Sequence, residues 1–270
     1  PAPAAASKAN APAGGTGKVG GNPLAQLPDD PIDLKGLRNL DAQVDIIMAG
    51  LNLRDVTLGR TAMTATVKDG TATMDLAEVQ VFGGKLGGRA VADASEQALD
   101  VRVDLNAENL NLAQLPQAKA LGGGRLNARL SGRSSGASPR ALANAASAEA
   151  SVTLSGLAMK AGPGTLSAAN ADVSIPAMDK AATLTAKVTY NDEPVSADVT
   201  AGPLTQALAQ QPFGLNLNLS APATTAAFDG QVTPAAPGAA GKLALDVKAV
   251  RQVLAWLNMP LPKDQPDPGG

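Results

Sequence analysis

Pairs of carboxylates are the residues of this chain whose spacing is best suited to chemistry. Asp41 and Asp45 are four positions apart, and Asp100 and Asp104 repeat that spacing. Because residues i and i+4 of a strand share a face, each pair could hold a cation or act as an acid and a base. No further convergent group accompanies either pair. We therefore interpret both as solvated charges that keep a sheet surface soluble, and we expect no metal site there.

The composition excludes most other catalytic machinery. The chain has 270 residues, no His and no Cys, so Ser-His-Asp triads, thiol chemistry and nearly all zinc sites are impossible. With 24 acidic and 22 basic residues the formal net charge is −2, whereas a nucleic-acid partner would favour a basic patch. The sequence therefore predicts a protein that is not an enzyme, has no catalytic residue and no cofactor, and does not bind nucleic acid.

Two glycine-rich stretches could suggest phosphate cradles. Residues 82–84 are followed by Gly87 and Gly88, and residues 122–124 are all glycine. Both stretches come before strand-like segments and neither opens a helix, so the helix N-terminus that holds a phosphate in a P-loop is missing. We interpret them as turns and bends.

The elements that position these residues alternate with a period of two. Residues 99–106, 184–190 and 213–219 place apolar and polar side chains on opposite faces, as in a half-buried strand. At Gly50 and again at Val79 the apolar positions change parity, which indicates a bulge or bend. The sequence predicts an all-β, mainly antiparallel fold: a long twisted or curled sheet or groove, or a sandwich-like arrangement, with a few short helices.

Local signals place the turns and helices. Asp69-Gly70 between two alternating runs predicts a two-residue hairpin. Ser138 followed by a proline predicts a short helix over residues 139–145, and Pro203 opens another through residue 208. Residues 250–257 have helical apolar spacing and predict the longest helix. Within it, Trp256 is interpreted as a packing anchor, with a membrane-interface role as the alternative.

The chain divides into four segments by composition. Residues 1–30 are rich in Pro, Ala and Gly and predict a disordered linker, and residues 263–270 predict a disordered tail. Residues 31–160 and 161–262 predict two β-rich units, the second ending in the amphipathic helix. The chain begins at Pro1 with no signal peptide and has no apolar run of the ~18 residues that span a membrane, so we interpret it as a piece of something longer.

Five stretches of the chain have a shared pattern of motifs: residues 37–42, 66–70, 81–84, 190–195 and 241–257. Together they resemble the AsmA-like family of bacterial envelope proteins. The likeness covers ~230 residues from Leu34 onward. In that family a unit whose hairpin usually has Asn-Gly at its turn, here residues 190–195, normally precedes the Asp-Gly unit, here residues 66–70. In this chain it follows that unit.

The resemblance implies a location, a partner and a function. Members of that family are periplasmic proteins of Gram-negative bacteria, held at the inner membrane by a segment that this chain lacks. They have an apolar β-groove implicated in outer-membrane biogenesis and in phospholipid transport between membranes. The resemblance therefore implies phospholipid, or another acyl-chain lipid, as the partner. A structural or interaction module of the envelope, with a closed core and no ligand, is the alternative.

The residues themselves agree with a lipid groove, because small aliphatic side chains leave room for an acyl chain whereas large aromatic ones would fill it. Aromatic residues are only 2% of the chain. The candidate lipid-facing residues are Val44, Ile46, Val101, Val103, Leu105, Leu126, Leu130, Leu215, Leu217, Leu219, Leu243 and Leu245.

Overall fold

The fold is one long antiparallel sheet. The computed structural model describes residues 23–53, 56–115, 123–235 and 238–259. In these ranges it has fourteen strands in a single open sheet, four short α-helices and two short 3-10 helices. The predicted all-β class with a few short helices is confirmed. The sheet does not close into the sandwich that the sequence left open.

The strands are β1 (Ala42–Met48), β2 (Leu51–Leu53), β3 (Val56–Lys68), β4 (Thr71–Val81), β5 (Gly84–Asp93), β6 (Leu99–Asn111), β7 (Arg125–Gly136), β8 (Ser147–Ala161), β9 (Gly164–Ile175), β10 (Ala181–Tyr190), β11 (Glu193–Pro203), β12 (Phe213–Ala221), β13 (Thr224–Thr233) and β14 (Gly238–Val247). The helices are α1 (Lys35–Arg38), α2 (Pro139–Ala145), α3 (Leu204–Leu208) and α4 (Val250–Trp256), with 3-10 turns at Pro23–Gln26 and Leu112–Gln114.

The strands form a meander in which each pairs with the next one along the chain. The hydrogen-bonded order is β1, β3, β4 and then every strand in sequence to β14, while β2 pairs with β3 alone. Asp69 and Gly70 both have positive φ, as a type I′ turn requires, so the predicted hairpin is confirmed. Phe82 and Gly83 form a second such turn, which is the role expected for that glycine-rich stretch.

Helices and turns lie at the ends of the strands. Helix α2 has the predicted bounds, and the Ser138 hydroxyl accepts a hydrogen bond from the Ala141 N–H at 3.1 Å. Helix α3 begins one residue after Pro203. Helix α4 has seven residues, the same number as α2, so it is not the one longer helix that the apolar spacing predicted. Its last turn ends at Trp256, earlier than the apolar spacing suggested.

The last part of the predicted linker is an ordered strap. The Arg140 guanidinium donates hydrogen bonds to the main-chain oxygens of Ala25 and Leu27, and its main-chain N–H donates to Pro28 at 3.1 Å. The Ser138 hydroxyl donates to Asp29 at 2.9 Å. Residues 23–30 therefore dock on α2. Composition missed this because the strap is held by hydrogen bonds to its main-chain oxygens and to the Asp29 carboxylate, and not by apolar burial. Residues 1–22 and the predicted tail at 263–270 lie outside the described residues.

The sheet is continuous across the predicted boundary between the two β-rich units. Residue 160 lies near the end of β8, and β8 pairs with β9 from Ala148 opposite Ile175 to Ala161 opposite Gly164. The two units thus share one sheet, and its β8–β9 register shifts between Ser155 and Met159. The division into two β-rich units at residues 160 and 161 stays a prediction.

The well-buried apolar residues lie at the ends of the strands and not at their centres. Leu34 and Ala94 are buried where α1 meets the β3–β4 hairpin and the end of β5. At the opposite end Val81, Leu110 and Leu157 are buried near the Leu112–Gln114 turn, in which Leu112 is itself buried. No large side chain among the described residues is completely buried. The sheet therefore has two small capped ends and no central core.

Trp256 is a packing anchor, which is the first of the two roles that the sequence suggested for it. Its ring packs edge-on against Tyr190, with 5.4 Å between centroids, and its Nε1–H donates to the Tyr190 main-chain oxygen at 2.9 Å. The Asn191 amide donates to the Trp256 oxygen at 2.5 Å. These contacts hold α4 against the β10–β11 hairpin.

We expect Trp256→Ala to lower the free energy of unfolding by about 2 kcal/mol, because it removes both an aromatic pair and a hydrogen bond. Trp256→Phe keeps a ring and should cost about half as much. Urea unfolding followed by far-ultraviolet circular dichroism measures both. Equal stabilities for the two variants and the parent protein would show that α4 contributes nothing to the fold.

Candidate functional site

The candidate site is the apolar face of the sheet, which carries an unbroken cross-strand row from one edge to the other. In this central row each residue lies directly opposite the next, and every member is apolar or glycine. We call the face that holds it the apolar face. The row is Ile46, Met63, Leu76, Gly88, Leu105, Leu130, Ala150, Val173, Leu184, Val199, Leu217, Phe228 and Leu243.

The opposite face of the same strands is polar. A row that is adjacent in sequence to the central row runs across the same thirteen strands, and each of its members is charged, hydroxylated or an amide. Alternation is therefore kept across the whole sheet and not only within single strands. This row is Asp45, Thr64, Asp75, Arg89, Asp104, Ser131, Glu149, Ser174, Thr183, Thr200, Asn216, Asp229 and Lys242.

The structure brings all twelve candidate lipid-facing residues to the apolar face. Five belong to the central row, and the others lie in the rows beside it on the same strands. In one neighbouring row Leu219 pairs with Ala197 and Ala226, and Ala226 pairs with Leu245. The five central-row members are Ile46, Leu105, Leu130, Leu217 and Leu243.

The apolar face is open in the part of the chain that the structure describes. Leu105 and Leu130, near the middle of the central row, are 37% and 42% exposed. Side chains elsewhere in the row are mostly half-buried, as expected when neighbours in one layer shield each other's flanks and leave the tips in solvent. A second layer would bury these residues fully. The face therefore presents a continuous apolar surface to whatever lies above it.

Two helices reach onto this face at opposite ends of the strands. A Cβ added to Gly136, which pairs with Leu99, would meet the main chain of α2 at 2.5 Å, so α2 lies on the apolar face. Tyr190 pairs with Leu166 on the same face, and Trp256 of α4 packs on its ring. The central row runs between these two caps.

A well-formed depression lies on the other face. It has a volume of about 700 Å³ and spans β5 to β10. Thr183 and Thr185 line it whereas Leu184 between them does not, which places its opening on the polar face. Its charged lining residues include Arg89, Asp104 and Arg129. The predicted apolar groove is thus an exposed sheet face, and the concavity described here belongs to the polar side.

Three members of the carboxylate pairs, Asp41, Asp45 and Asp104, are exposed surface charges, and Asp100 is half-buried. Asp45 accepts hydrogen bonds from the Thr64 hydroxyl at 2.7 Å and the Gln43 amide at 2.9 Å, which hold the pKa of Asp45 below its usual value. Asp41 accepts one from the Asp69 main-chain N–H at 3.4 Å. The described residues contain no group of three or more acidic side chains that could hold a metal ion.

Sequence reasoning missed the continuity of the rows and the place of glycine in them. Gly88 is the one member of the central row without a side chain, and a Cβ there would overlap the main-chain oxygen of Asp104. The Gly87-Gly88 pair was visible as a bend signal. Its position within the central row depends on the pairing register of neighbouring strands, which cannot be read from the sequence.

Comparison with protein-family models, with curated proteins and with solved structures gives no match. None of the helices that the structure describes has the length and apolarity needed to cross a membrane.

Proposed function

We propose that this chain binds acyl-chain lipids along its apolar face and is not an enzyme. The observation that carries the proposal is the central row, thirteen cross-strand positions without a polar side chain and without a covering layer in the described residues. Contiguous exposed apolar surface of this extent favours a partner that shields it from water. An acyl chain is a partner with no polar groups of its own to satisfy.

The dimensions of the face suit extended hydrocarbon chains. Thirteen strands at ~4.8 Å spacing give the central row a length of roughly 58 Å. The tails of one bilayer leaflet span about 15 Å, half of the ~30 Å hydrocarbon thickness, so the row could hold several tails. The row beside it has alanine at Ala128, Ala171, Ala186 and Ala197, which leaves space above the backbone.

The free energy of lipid binding is limited because an acyl chain contacts the open sheet on one side only. Full burial of a methylene stabilises by ~0.8 kcal/mol. An open sheet covers about half of a chain, so ten methylenes contribute about 4 kcal/mol and a lipid with two such tails about 8 kcal/mol, near a micromolar dissociation constant. This is reversible binding, as expected for a protein that takes up and releases its ligand.

The cellular role we propose follows from the resemblance to the AsmA-like family. In this proposal the chain is a periplasmic segment of an envelope protein of a Gram-negative bacterium, associated with the inner membrane through a segment outside this chain. Its apolar face carries phospholipid between membranes and supports outer-membrane biogenesis. The alternative of a structural module with a closed core is less favoured, because no described layer closes on the apolar face.

The test is whether lipid accompanies the protein. The full chain is purified from a Gram-negative host without detergent, and its organic extract is examined by mass spectrometry beside that of an unrelated protein carried through the same steps. We expect phospholipid in excess of the control. After lipid removal, a fluorescent fatty acid should bind with saturation and be displaced by phosphatidylethanolamine. Absence of both co-purified lipid and saturable binding would contradict the proposal.

A further inference from the structure

The last strand of the sheet has a free edge. β14 pairs with β13 over ten residues without a register shift, and no described strand pairs with its other side. Residues 238–246 are all exposed. Leu243 and Leu245 are 73% and 67% exposed, more than any other apolar-face side chain with a stated exposure. An edge of this kind is a template for a further strand.

We propose that the occupant of this edge is a second copy of the chain, joined by antiparallel pairing of β14 with β14 of the partner copy. The pair is related by a two-fold axis perpendicular to the sheet that passes beside Ala244. Directly opposite residues of antiparallel strands point to the same side of the sheet. The apolar faces of the two copies therefore lie side by side and form one surface.

Charge selects the register. With Ala244 opposite itself, Lys242 of each copy lies opposite Asp246 of the other, which gives two oppositely charged cross-strand pairs. Moving the axis by one residue toward Asp246 places Lys242 opposite Lys248. Moving it to Lys242 or to Asp246 places like charges opposite each other, and moving it to residue 243 leaves both charges opposite alanine. One register thus satisfies both charges.

The same register matches the apolar face. Leu243 of each copy lies opposite Leu245 of the other, so the two most exposed leucines of the edge cover each other. β13 already pairs its Phe228 with Leu243 and its Ala226 with Leu245. The contact would therefore continue two apolar rows from one copy into the next.

The other edge does not offer an equivalent partner. The path from β1 to β14 has thirteen strands, so β1 and β14 run in the same direction. Pairing β14 with β1 of another copy, with the apolar faces together, would be parallel. Pairing β1 with itself brings no opposite charges together, since Asp45 is its one charged residue. The β14 edge is favoured because it is complementary to itself.

The first test uses a single cysteine, since the chain has none of its own. Opposite Cα atoms in antiparallel strands are about 4.5–5.5 Å apart, within the range of a disulfide. Full-length Ala244→Cys should form a disulfide-linked dimer with a mild thiol oxidant. The matched control Ala240→Cys lies on the same face of β14, but its two copies would be about 27 Å apart. It should remain largely monomeric on a non-reducing gel.

The second test exchanges the charges. Asp246→Lys places lysines opposite each other, and Lys242→Asp places aspartates opposite each other. Each variant should raise the dimer dissociation constant about tenfold or more in sedimentation equilibrium. Mixing the two should restore dimers, because each mixed pair is Asp opposite Lys. Lys242→Asp also faces Asp229 in its own chain, so the melting temperature of each variant is measured first.

The cross-linking and charge-exchange results together decide whether a second copy occupies the β14 edge. Cross-linking of Ala244→Cys and not of Ala240→Cys, together with rescue by mixing, supports the two-fold dimer. Equal cross-linking of the two cysteines, or a monomeric parent protein at the highest soluble concentration, would overturn it. These results do not depend on lipid, so they are separate from the outcome of the lipid-binding tests.

Discussion

Replacing Leu217 by Asp should remove most of the bound lipid, by tenfold or more, and leave the sheet folded. Leu217 lies in the central row between Val199 and Phe228. A carboxylate in contact with a hydrocarbon chain loses hydration that the chain does not replace, which costs several kcal/mol in the complex. In the free protein the position is half-buried, so the carboxylate keeps much of its water.

The matched control for this variant is the adjacent residue. Asn216→Asp introduces the same charge on the same strand, but on the polar face opposite Asp229 and Thr200. It should change bound lipid by less than twofold. Val103→Asp, in the fifth strand counted from the β1 edge and also on the apolar face, should behave as Leu217→Asp does. Bound phospholipid per chain and the melting temperature are measured on all of them.

Unfolding of both aspartate variants would contradict lipid binding on an open face. If Leu217→Asp and Val103→Asp both unfold the protein, and the parent protein carries no lipid, the apolar face is a closed core in solution. That outcome would favour the structural module. A buried unpaired charge lowers the free energy of unfolding by about 3–5 kcal/mol, and thermal and urea unfolding detect a loss of this size easily.

Gly88→Ala should be the most destabilising single-methyl change in the sheet. The residue has φ +148° and a Cβ would overlap the Asp104 main-chain oxygen and crowd Leu105. β5 and β6 would have to separate where the central row crosses them, so we expect a loss of about 2–4 kcal/mol in unfolding free energy.

Gly132→Ala provides the comparison for that variant. Gly132 pairs with Val103 on the same face, and an added Cβ would lie 3.5 Å from the Ser147 oxygen, an ordinary contact. This substitution should change stability by less than about 1 kcal/mol. Similar melting temperatures for the two variants would mean that the strands do not approach closely at Gly88.

Local features of the fold could be predicted from the sequence. Asp69-Gly70 formed its hairpin and residues 139–145 their helix, because each signal depends on backbone conformations of adjacent residues. The structure also has the irregularity that the change of apolar parity at Val79 predicted. β4 has a register shift between Leu76 and Val79 in its pairing with β5, which returns Val79 to the apolar face opposite Leu86.

Features that depend on distant residues could not be predicted. Docking of the strap rests on Arg140, more than a hundred residues from its main-chain partners at Ala25 and Leu27. Whether two apolar faces pack together or stay open depends on how the whole sheet curves, and alternation within a strand is the same in either case. The apolar residues of the candidate site were therefore identified correctly as one face, but the openness of that face was not determined.

The most direct test of lipid binding at the apolar face is photo-cross-linking from adjacent positions of β7. A photoreactive phenylalanine derivative is placed at Leu130, in the central row, or at Ser131, on the polar face, and the full chain is loaded with phospholipid and irradiated. Intact-mass measurement should show a phospholipid adduct for the Leu130 variant and little for the Ser131 variant. Equal adducts at the two positions, or an adduct at Ser131 alone, would contradict lipid binding at this face.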